Sequence, residues 1–451
     1  MYFINSGDII IPMMEAFRIR GGRVLEGEIS VQGSKNAATK LVAATLLTSH
    51  QCVLKGLPDI RDVNVMLAIL EKMGARIKRE EGVVAIDNSN IDPNKMPADM
   101  VRELRSSVVF IGPLLGRFGE VRMPYPGGDK IGARGLDTHF NVFSDLGYEV
   151  IAEEGYFTIR KTPKVPIVRK VVLDEFSVTA SENLLMAASL LPYKIEVSIL
   201  ATEPHIENLV EFLNKMGADI HLLPNHRAII TGRTALYGAE HEVVRDYIEA
   251  GTFIVTALCA GGALRIHDFP LSHLELFLQK LKRFGADFTI EDQRTVFVRK
   301  ARQLFMPKMQ MMIYPGVPTD LQSPIGVLAT QTQGSTIVHD PLYERRLSYL
   351  KELQKMGAKV NIMDDHRAEV IGPTKLRGVT IRGEDIRGGM SLIIAGLIAE
   401  GETILENAYQ VDRGYERIEE RLRSLGADIE RINYEAPLNT VDASQISNFK
   451  F

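Results

Sequence analysis

The chain has 451 residues, of which 45% are hydrophobic and 24% are charged, and its formal net charge is −4. This length and apolar fraction allow two or three domains with large cores and exclude a disordered protein. The net charge gives no sign of the basic surface that binds nucleic acid, so no nucleic-acid partner is expected.

One phrase recurs six times along the chain: an amphipathic stretch that ends in glycine, followed by a short apolar run. Leucine and methionine at helical spacing predict a helix with one apolar stripe, and the glycine predicts its left-handed C-terminal cap. The alternating residues that follow predict a strand. The copies span residues 70–77, 143–150, 213–220, 281–288, 353–360 and 422–429, with glycines at Gly74, Gly147, Gly217, Gly285, Gly357 and Gly426. A period of about 70 residues predicts six related units that pack on one another.

Each unit also contains a second predicted helix that is apolar nearly all round. A helix of that kind is buried on every side, whereas the glycine-capped helices carry a polar face for solvent. The buried helices are predicted at residues 37–47, 106–115, 181–191, 251–260, 324–332 and 389–399. The sequence therefore predicts an α/β (α+β) fold of two globules, each with three units, buried helices in the middle and sheets around them.

The boundary between the two globules is predicted near residues 241–244, after the third unit. The residues before Gly33 form predicted strands that are expected to close the second globule from the other end. The predicted domains are therefore residues 35–243, which include a glycine-rich loop, and residues 1–34 together with 244–451.

The first segment that interrupts the repeat is residues 32–38, in which Lys35 follows a Gly-Ser turn at the predicted start of a helix. The N–H groups of a helix N-terminus and an ammonium group together suit a phosphate or a carboxylate. The spacing of a P-loop is missing. The alternative interpretation is a surface lysine near a helix cap.

The second segment, residues 126–137, has four glycines and two cations around Asp129. We predict a loop that folds over a ligand and places Arg134 on an anion, because a guanidinium group matches oxyanions in a bidentate way. Asp129 is a candidate general acid if burial or the ligand's charge raises its pKa. The alternative is a flexible surface hairpin.

One acidic and two basic side chains stand out in the second half of the chain. Asp320 follows a rigid Pro-Gly-Val-Pro turn before a predicted buried helix, where it is a candidate base for a substrate hydroxyl or simply the helix cap. Arg387 and Arg413 stand beside glycine and are predicted at helix starts. With Lys35 and Arg134 they supply enough positive charge for a phosphate and an adjacent carboxylate. Structural salt bridges are the alternative for each one.

The remaining motifs argue against other kinds of site. The ten histidines show no metal-ligand spacing and neither cysteine lies in a CxxC motif, so no metal and no cofactor are predicted. Cys52 and Cys259 lie in apolar runs and are predicted to be buried thiols. Because no apolar run reaches the length of a membrane span and no secretory signal stands at the N-terminus, we expect a cytoplasmic protein without a membrane partner.

Together the segments resemble the enolpyruvyl transferase family, in the branch that acts on a UDP-sugar. The resemblance rests on GSKNAA at 33–38, PGGDKIGAR at 126–134, PTDLQ at 318–322, EDIRGG at 384–389 and VDRGYERIEE at 411–420. It implies two inside-out α/β domains, each with pseudo-threefold symmetry, that close on ligand. It also implies transfer of enolpyruvyl from phosphoenolpyruvate to the 3-hydroxyl of UDP-N-acetylglucosamine, with release of phosphate, as the first committed step of peptidoglycan synthesis.

The resemblance also implies roles for individual residues. Lys35, Arg134 and Arg413 would hold phosphoenolpyruvate, and Lys35 and Arg413 would belong to the catalytic set. Asp320 would take the proton of the sugar hydroxyl, and Asp129 would donate a proton to carbon. The other implied substrate-binding residues are Asn36, Arg105, Gly135, Leu136, Asp137, Thr138, Glu175, Phe176, Ser177, Val178, Leu342, Asp385 and Arg387.

The sequence departs from the family pattern at three positions. Asp129 stands where most members have cysteine, Glu175 where lysine is typical, and Tyr247 where arginine is common. A carboxylate in place of a cation near a diphosphate should weaken its binding, which leaves a different acceptor as an alternative. A non-catalytic, ligand-binding paralogue is the other alternative, although such a protein needs no acid and base together. A monomer or weak homo-oligomer is expected.

Overall fold

The computed structural model describes residues 13–80, 82–128, 131–132, 134–162, 168–301 and 303–435. Over these ranges the chain forms a mixed α/β fold with 23 strands in six sheets and 14 α-helices. This architecture confirms the predicted fold class.

Two strands begin the described chain, and the first three units follow them. Strands β1 (Met13–Arg20) and β2 (Glu26–Ser30) join sheets formed by the second half of the chain. The helices of the first three units are α1 (Lys35–Ala44), α2 (Arg61–Met73), α3 (Ala98–Glu103), α4 (Ile111–Phe118), α5 (Asp137–Asp145), α6 (Val178–Ala188) and α7 (Pro204–Lys215). Their strands are β3 (Cys52–Lys55), β4 (Arg76–Glu80), β5 (Val83–Asp87), β6 (Glu120–Pro124), β7 (Tyr148–Glu153), β8 (Tyr156–Lys161), β9 (Lys170–Val172), β10 (Lys194–Ser198), β11 (Asp219–Leu223), β12 (Arg227–Thr231) and β13 (Glu240–Glu242).

The last three units repeat this succession. Their helices are α8 (Tyr247–Ala260), α9 (Glu275–Arg283), α10 (Gln322–Ala329), α11 (Tyr349–Lys355), α12 (Ile386–Ile398), α13 (Ala408–Asp412) and α14 (Ile418–Ser424). Their strands are β14 (Ala263–His267), β15 (Asp287–Asp292), β16 (Thr295–Arg299), β17 (Lys308–Gln310), β18 (Gly334–His339), β19 (Lys359–Ile362), β20 (Arg367–Gly372), β21 (Thr380–Arg382), β22 (Glu402–Glu406) and β23 (Asp428–Glu435).

The sheets show that the units share one arrangement of strands. Five sheets have four strands, in the orders β13-β3-β5-β4, β11-β12-β10-β9, β15-β16-β14-β2, β17-β18-β20-β19 and β21-β22-β1-β23. In each of them one edge strand pairs in parallel with its neighbour and the other pairings are antiparallel. The sixth sheet, β6-β8-β7, is antiparallel and has three described strands.

The predicted glycine caps are confirmed. All six repeat glycines have positive φ, between 83° for Gly147 and 112° for Gly74. A side chain with a Cβ rarely adopts this backbone conformation, which explains why each amphipathic helix ends on glycine before the next strand.

The core is divided into two separate clusters of buried apolar side chains. One is drawn from residues 37–243, and the other from residues 17–31 and 247–429. We call these parts lobe 1 and lobe 2. Helices α8, α10 and α12 contact one another inside lobe 2, and the predicted all-apolar helices are buried in both lobes. The two cores support the predicted domain boundary after residue 243, which stays a prediction.

The chain crosses between the lobes at residues 32–35 and 244–246, and the two crossings bond to each other. Ser34 N donates to Val244 O at 2.7 Å, and Asp246 N donates to Gln32 O at 2.9 Å. Lys35 N donates to Asp246 Oδ2 at 3.1 Å. This double connection places the start of α1 directly at the junction of the lobes.

Two further findings concern membrane spans and thiols. In the parts of the chain that the structure describes, no helix is both long and apolar enough to cross a bilayer. Cys52 is buried as predicted, but Cys259 is partly exposed at the end of α8, where the helix reaches the surface. Burial nevertheless raises the pKa of the Cys259 thiol well above its ordinary value, so the sulfur itself lies away from water.

Candidate active site at the junction of the lobes

Lys35 and Arg413 meet at one carboxylate between the lobes. Lys35 Nζ lies 3.3 Å from Asp62 Oδ2, and Arg413 Nε donates to Asp62 Oδ1 at 3.0 Å. All three side chains are buried, with Asp62 only 2% exposed. The interpretation of Lys35 as a surface lysine is therefore wrong, because the lysine is a buried partner in an ion pair.

The local structure explains where these cations stand. The Ser34 side chain caps α1 by accepting a bond from Ala37 N at 3.3 Å, and Lys35 is the first residue of that helix. Arg387 lies in the first turn of α12, whose N-cap residue Asp385 accepts bonds from the next two free N–H groups of the turn. Arg413 instead follows the last residue of the short helix α13, so its predicted position at a helix start is wrong.

Asp320 lies in a 3-10 turn, Thr319–Leu321, directly before α10. Arg346 bonds one of its oxygens, and Arg387 Nε donates to the other at 3.1 Å. The first turn of α10 receives no side-chain cap, so the interpretation of Asp320 as a helix cap is wrong. The carboxylate instead neutralises two buried arginines.

The charges around Asp320 keep it ionised. The Asp320 side chain is 23% exposed; its partial burial raises the pKa of this carboxyl group, but Arg346, Arg387 and Lys35 together lower it by more, so the pKa lies well below its ordinary value. Arg346 also approaches Asp385, with Nη1 3.8 Å from Oδ1. Asp320 and Asp385 therefore both lie close to the buried guanidinium group of Arg346 in lobe 2.

The glycine-rich loop approaches lobe 2 at the residues next to Arg346. Asp129 and Lys130 lie outside the described residues, so the predicted place of Asp129 stays a prediction. Arg345 N donates to Ile131 O at 3.0 Å, and a Cβ atom on Gly132 would lie 2.3 Å from Glu344 Oε2. The loop thus rests on the segment that directly precedes Arg346.

A second set of predicted residues forms one wall in lobe 1. Arg105 Nη2 donates to Gly135 O at 3.1 Å, and Thr138 Oγ1 donates to Glu175 Oε1 at 3.1 Å. Burial, with a contribution from nearby Arg134, lowers the pKa of Arg105 to about 10. Arg134 adds in the same way to the lowering of the pKa of buried Lys40 on α1.

The other predicted positions lie on segments of both lobes. Phe176 and Leu342 are 38% and 37% exposed, so both present apolar surface to solvent. Ser177 precedes α6, and its N donates to Glu175 O at 2.7 Å. The remaining members of the set are Asn36 in the first turn of α1, Leu136 and Asp137 at the start of α5, and Val178 at the start of α6.

The structure also contains site residues that sequence reasoning missed. Asp62 stands in the first turn of α2, where acidic residues are common because of the helix dipole, so no signal distinguished it. A second group consists of Lys40, Glu182 and His205, with Glu182 Oε1 3.8 Å from Lys40 Nζ and 3.5 Å from His205 Nε2. A signal existed for this group, because Lys40 and Glu182 are charged residues on otherwise apolar helices.

Burial dominates the electrostatics of the Lys40, Glu182 and His205 group. It raises the pKa of Glu182 to about 8 and lowers the pKa of both Lys40 and His205. Among the described residues, no three His, Cys, Asp or Glu side chains are grouped so that they could hold a metal ion.

The chain is similar to known proteins over most of its length. The EPSP synthase (3-phosphoshikimate 1-carboxyvinyltransferase) family matches residues 19–422. UDP-N-acetylglucosamine 1-carboxyvinyltransferases of Treponema denticola and Koribacter versatilis are each 38% identical to it, over 92% and 93% of this chain and 99% and 97% of theirs. The solved enolpyruvyl transferase NikO of Streptomyces tendae matches with a TM-score of 0.84 at 24% identity, covering 94% of this chain and all of that one. The protein belongs to the EPSP synthase family of carboxyvinyltransferases, as its sequence motifs indicate.

Proposed function

We propose that this protein transfers enolpyruvyl from phosphoenolpyruvate to the 3-hydroxyl of UDP-N-acetylglucosamine and releases phosphate, the first committed step of peptidoglycan synthesis. The observation that carries the proposal is the meeting of Lys35 and Arg413 between the lobes of a chain 38% identical to enzymes named for this acceptor. We further propose a cytoplasmic enzyme, monomeric or weakly oligomeric, that needs no metal or other cofactor.

The cations at the junction supply the site for phosphoenolpyruvate. Lys35 and Arg413 come from different lobes, and Arg134 lies on the loop that rests on lobe 2. Buried cations interact more strongly with a phosphate than exposed ones, because the surrounding dielectric is low. Arg387 and Asn36 lie next to this set, in the first turns of α12 and α1.

Two carboxyl groups would move the protons of the addition step. The sugar hydroxyl attacks C2 of phosphoenolpyruvate while C3 accepts a proton, and loss of phosphate with a C3 proton then leaves the enolpyruvyl ether. Asp320 would accept the hydroxyl proton, and its two arginines keep it ionised for this task. Asp129 would supply the proton to C3. Because acid and base would come from different lobes, both act only when the lobes are together, which also excludes water.

The lobe 1 wall is the proposed site for the UDP-sugar. Arg105, the 134–138 segment and the 175–178 segment line it, and Leu342 and Asp385 would face it from lobe 2. Glu175 accepts a bond from Thr138, so its carboxylate already has a partner within the protein. This bond orients the carboxylate but leaves its negative charge in place, so the support for UDP-N-acetylglucosamine as acceptor is the 38% identity to enzymes named for it.

Phosphate release from phosphoenolpyruvate tests the proposal when it is measured with a panel of UDP-sugars. Turnover is expected with UDP-N-acetylglucosamine, and it should be lost in Lys35→Ala. Lys375→Ala is the matched control, because Lys375 is exposed at the surface of lobe 2. Turnover that occurs with a different UDP-sugar and not with UDP-N-acetylglucosamine would establish the alternative acceptor. A lack of turnover with every sugar would establish a non-catalytic paralogue.

A further inference from the structure

We propose that Asp62 is a positioning residue, which sets the separation of Lys35 and Arg413 and ties lobe 1 to lobe 2 where the reaction takes place. The inference rests on the proposed function, because it takes these two cations to be the ones that hold phosphoenolpyruvate.

The geometry gives each oxygen of Asp62 its own cation. Oδ2 faces Lys35 Nζ at 3.3 Å, and Oδ1 accepts from Arg413 Nε at 3.0 Å. One rigid carboxylate therefore defines the distance between the two charged groups. Gln410 holds Arg413 from the other side, since its Oε1 accepts from Arg413 Nη1 at 2.8 Å. Bonds to Asp62 and Gln410 thus help to orient Arg413 before it meets any ligand.

The three residues come from both lobes. Lys35 opens α1 and Asp62 lies in the first turn of α2, and these helices pack on each other in lobe 1. Arg413 follows α13 in lobe 2. The bond between Asp62 and Arg413 is therefore an ion pair across the junction, close to the double chain crossing at Lys35 and Asp246.

A buried carboxylate between two anion-binding cations weakens the binding of an anionic ligand. It reduces the positive potential that a phosphate meets, and a buried ion pair often adds little net stability. The benefit of the carboxylate is that it orients the two cations, because a small error in the placement of a substrate slows a reaction far more than it weakens binding. Asp62 is therefore expected to support the rate at the expense of affinity for phosphoenolpyruvate.

The test compares wild type with Asp62→Asn by steady-state phosphate release. We expect kcat to fall at least tenfold while KM for phosphoenolpyruvate stays the same or decreases, because the site gains positive charge but loses its orientation. Asp59→Asn is the matched control: Asp59 is exposed and lies just before the same helix, and among the described residues its carboxylate accepts a bond from the Asn64 side chain alone, at 2.9 Å. A kcat within twofold of wild type would overturn the proposal, as would a tenfold higher KM at unchanged kcat.

A second variant covers the case in which Asp62→Asn does not fold. Asp62→Glu keeps the charge but moves the carboxylate by one methylene group, so kcat should fall while circular dichroism and Tm stay close to wild type. A kcat equal to wild type in this folded variant would show that the position of the carboxylate does not matter, and the proposal would be wrong.

The tie between the lobes is tested without any substrate. Tm is measured for wild type, Asp62→Asn, Arg413→Gln and the double variant. The double variant should lose less than the sum of the two single losses, because both remove the same ion pair. Additive losses would overturn the tie. If wild type shows no turnover while the losses are non-additive, the proposed function fails and the tie stands, so the two failures are distinguishable.

Discussion

At the scale of single residues, the partners of a buried carboxyl group decide its protonation. Glu182 is fully buried and Asp320 is partly buried, but two arginines hold the pKa of Asp320 below its ordinary value, whereas burial raises the pKa of Glu182 to about 8. The partner of Glu182 is Lys40, whose own charge is disfavoured by burial. Asp320 is therefore ionised, as its proposed role of proton acceptor requires, and Glu182 is the more readily protonated of the two.

Asp320→Asn should lower kcat by about 10²- to 10⁴-fold, the usual contribution of a general base. The amide keeps the shape of the side chain, so calorimetry should still detect binding of UDP-N-acetylglucosamine. Asp364→Asn is the control, because Asp364 pairs with Arg367 at the exposed surface of lobe 2. Turnover within twofold of wild type in Asp320→Asn would remove Asp320 from the role of base.

The aspartate at position 129 should make the enzyme insensitive to fosfomycin, an epoxide that alkylates the cysteine of typical family members. A carboxylate is a much poorer nucleophile toward this epoxide than a thiolate. Incubation with fosfomycin should leave phosphate release unchanged, and Asp129→Cys should become inactivated with time. Time-dependent loss of wild-type activity, with the adduct mass on Asp129, would contradict the prediction.

At the scale of elements, the buried helices of lobe 1 are not uniformly apolar. Helix α1 carries Lys40, α6 carries Glu182 and α7 carries His205, and the three side chains meet where these helices pack together. A charge costs free energy in such a place unless it is paired or loses its charge. The raised pKa of Glu182 is the consequence, and it links the stability of this helix packing to pH.

Glu182→Gln should change how stability depends on pH. The pKa of this carboxyl group is raised from 4.5 to about 8 in the fold, so its stabilising contribution is complete below about pH 4.5 and is lost as the pH rises toward 8. The amide does not titrate, so the Tm of Glu182→Gln relative to wild type should increase between pH 5 and pH 8.5. Glu196→Gln, at an exposed pair with Arg227, should show no such trend. A Tm difference that is constant with pH would show that Glu182 is ionised throughout.

At the scale of the whole molecule, the lobes touch around the candidate site at separate places. The chain crossings bond to each other, Asp62 binds Arg413, and the loop carbonyl of Ile131 accepts from Arg345 N. These contacts join residues that are far apart in sequence. They place the cations of lobe 1 beside Asp320 and its arginines in lobe 2.

Gly132→Ala should separate the loop from lobe 2. Its φ is 149°, and the new Cβ would lie 2.3 Å from Glu344 Oε2 and 3.2 Å from Glu344 N. The new Cβ would push the loop away from Glu344 and misplace the loop residues relative to the substrate. We therefore expect kcat/KM for UDP-N-acetylglucosamine to fall by about 10- to 100-fold. Gly155→Ala is the control, because Gly155 has φ of 73° with open space around it at a hairpin turn. Equal kcat/KM values for the two variants would show that the loop contact has no part in catalysis.

The sequence by itself determined the local structure and the family. Periodicity and glycine caps are properties of neighbouring residues, so the helices, the turns and the sixfold repeat could be predicted, and short motifs with Lys35, Asp320 and Arg413 indicated the chemistry. The boundary after residue 243 stays a prediction, for which the two separate cores are the support. Arg413 was nevertheless predicted at a helix start, because a glycine beside an arginine does not reveal which helix end is near.

Only the tertiary structure decided which charges meet. Asp62 and Arg413 are 351 positions apart, and Asp320 and Arg387 are 67 apart, so no local pattern could pair them. The folded chain also showed that Asp320 binds arginines and does not cap a helix, and that Lys40 lies buried against Glu182. The physical reason is that ion pairing depends on distance through space, and the packing of two lobes sets that distance.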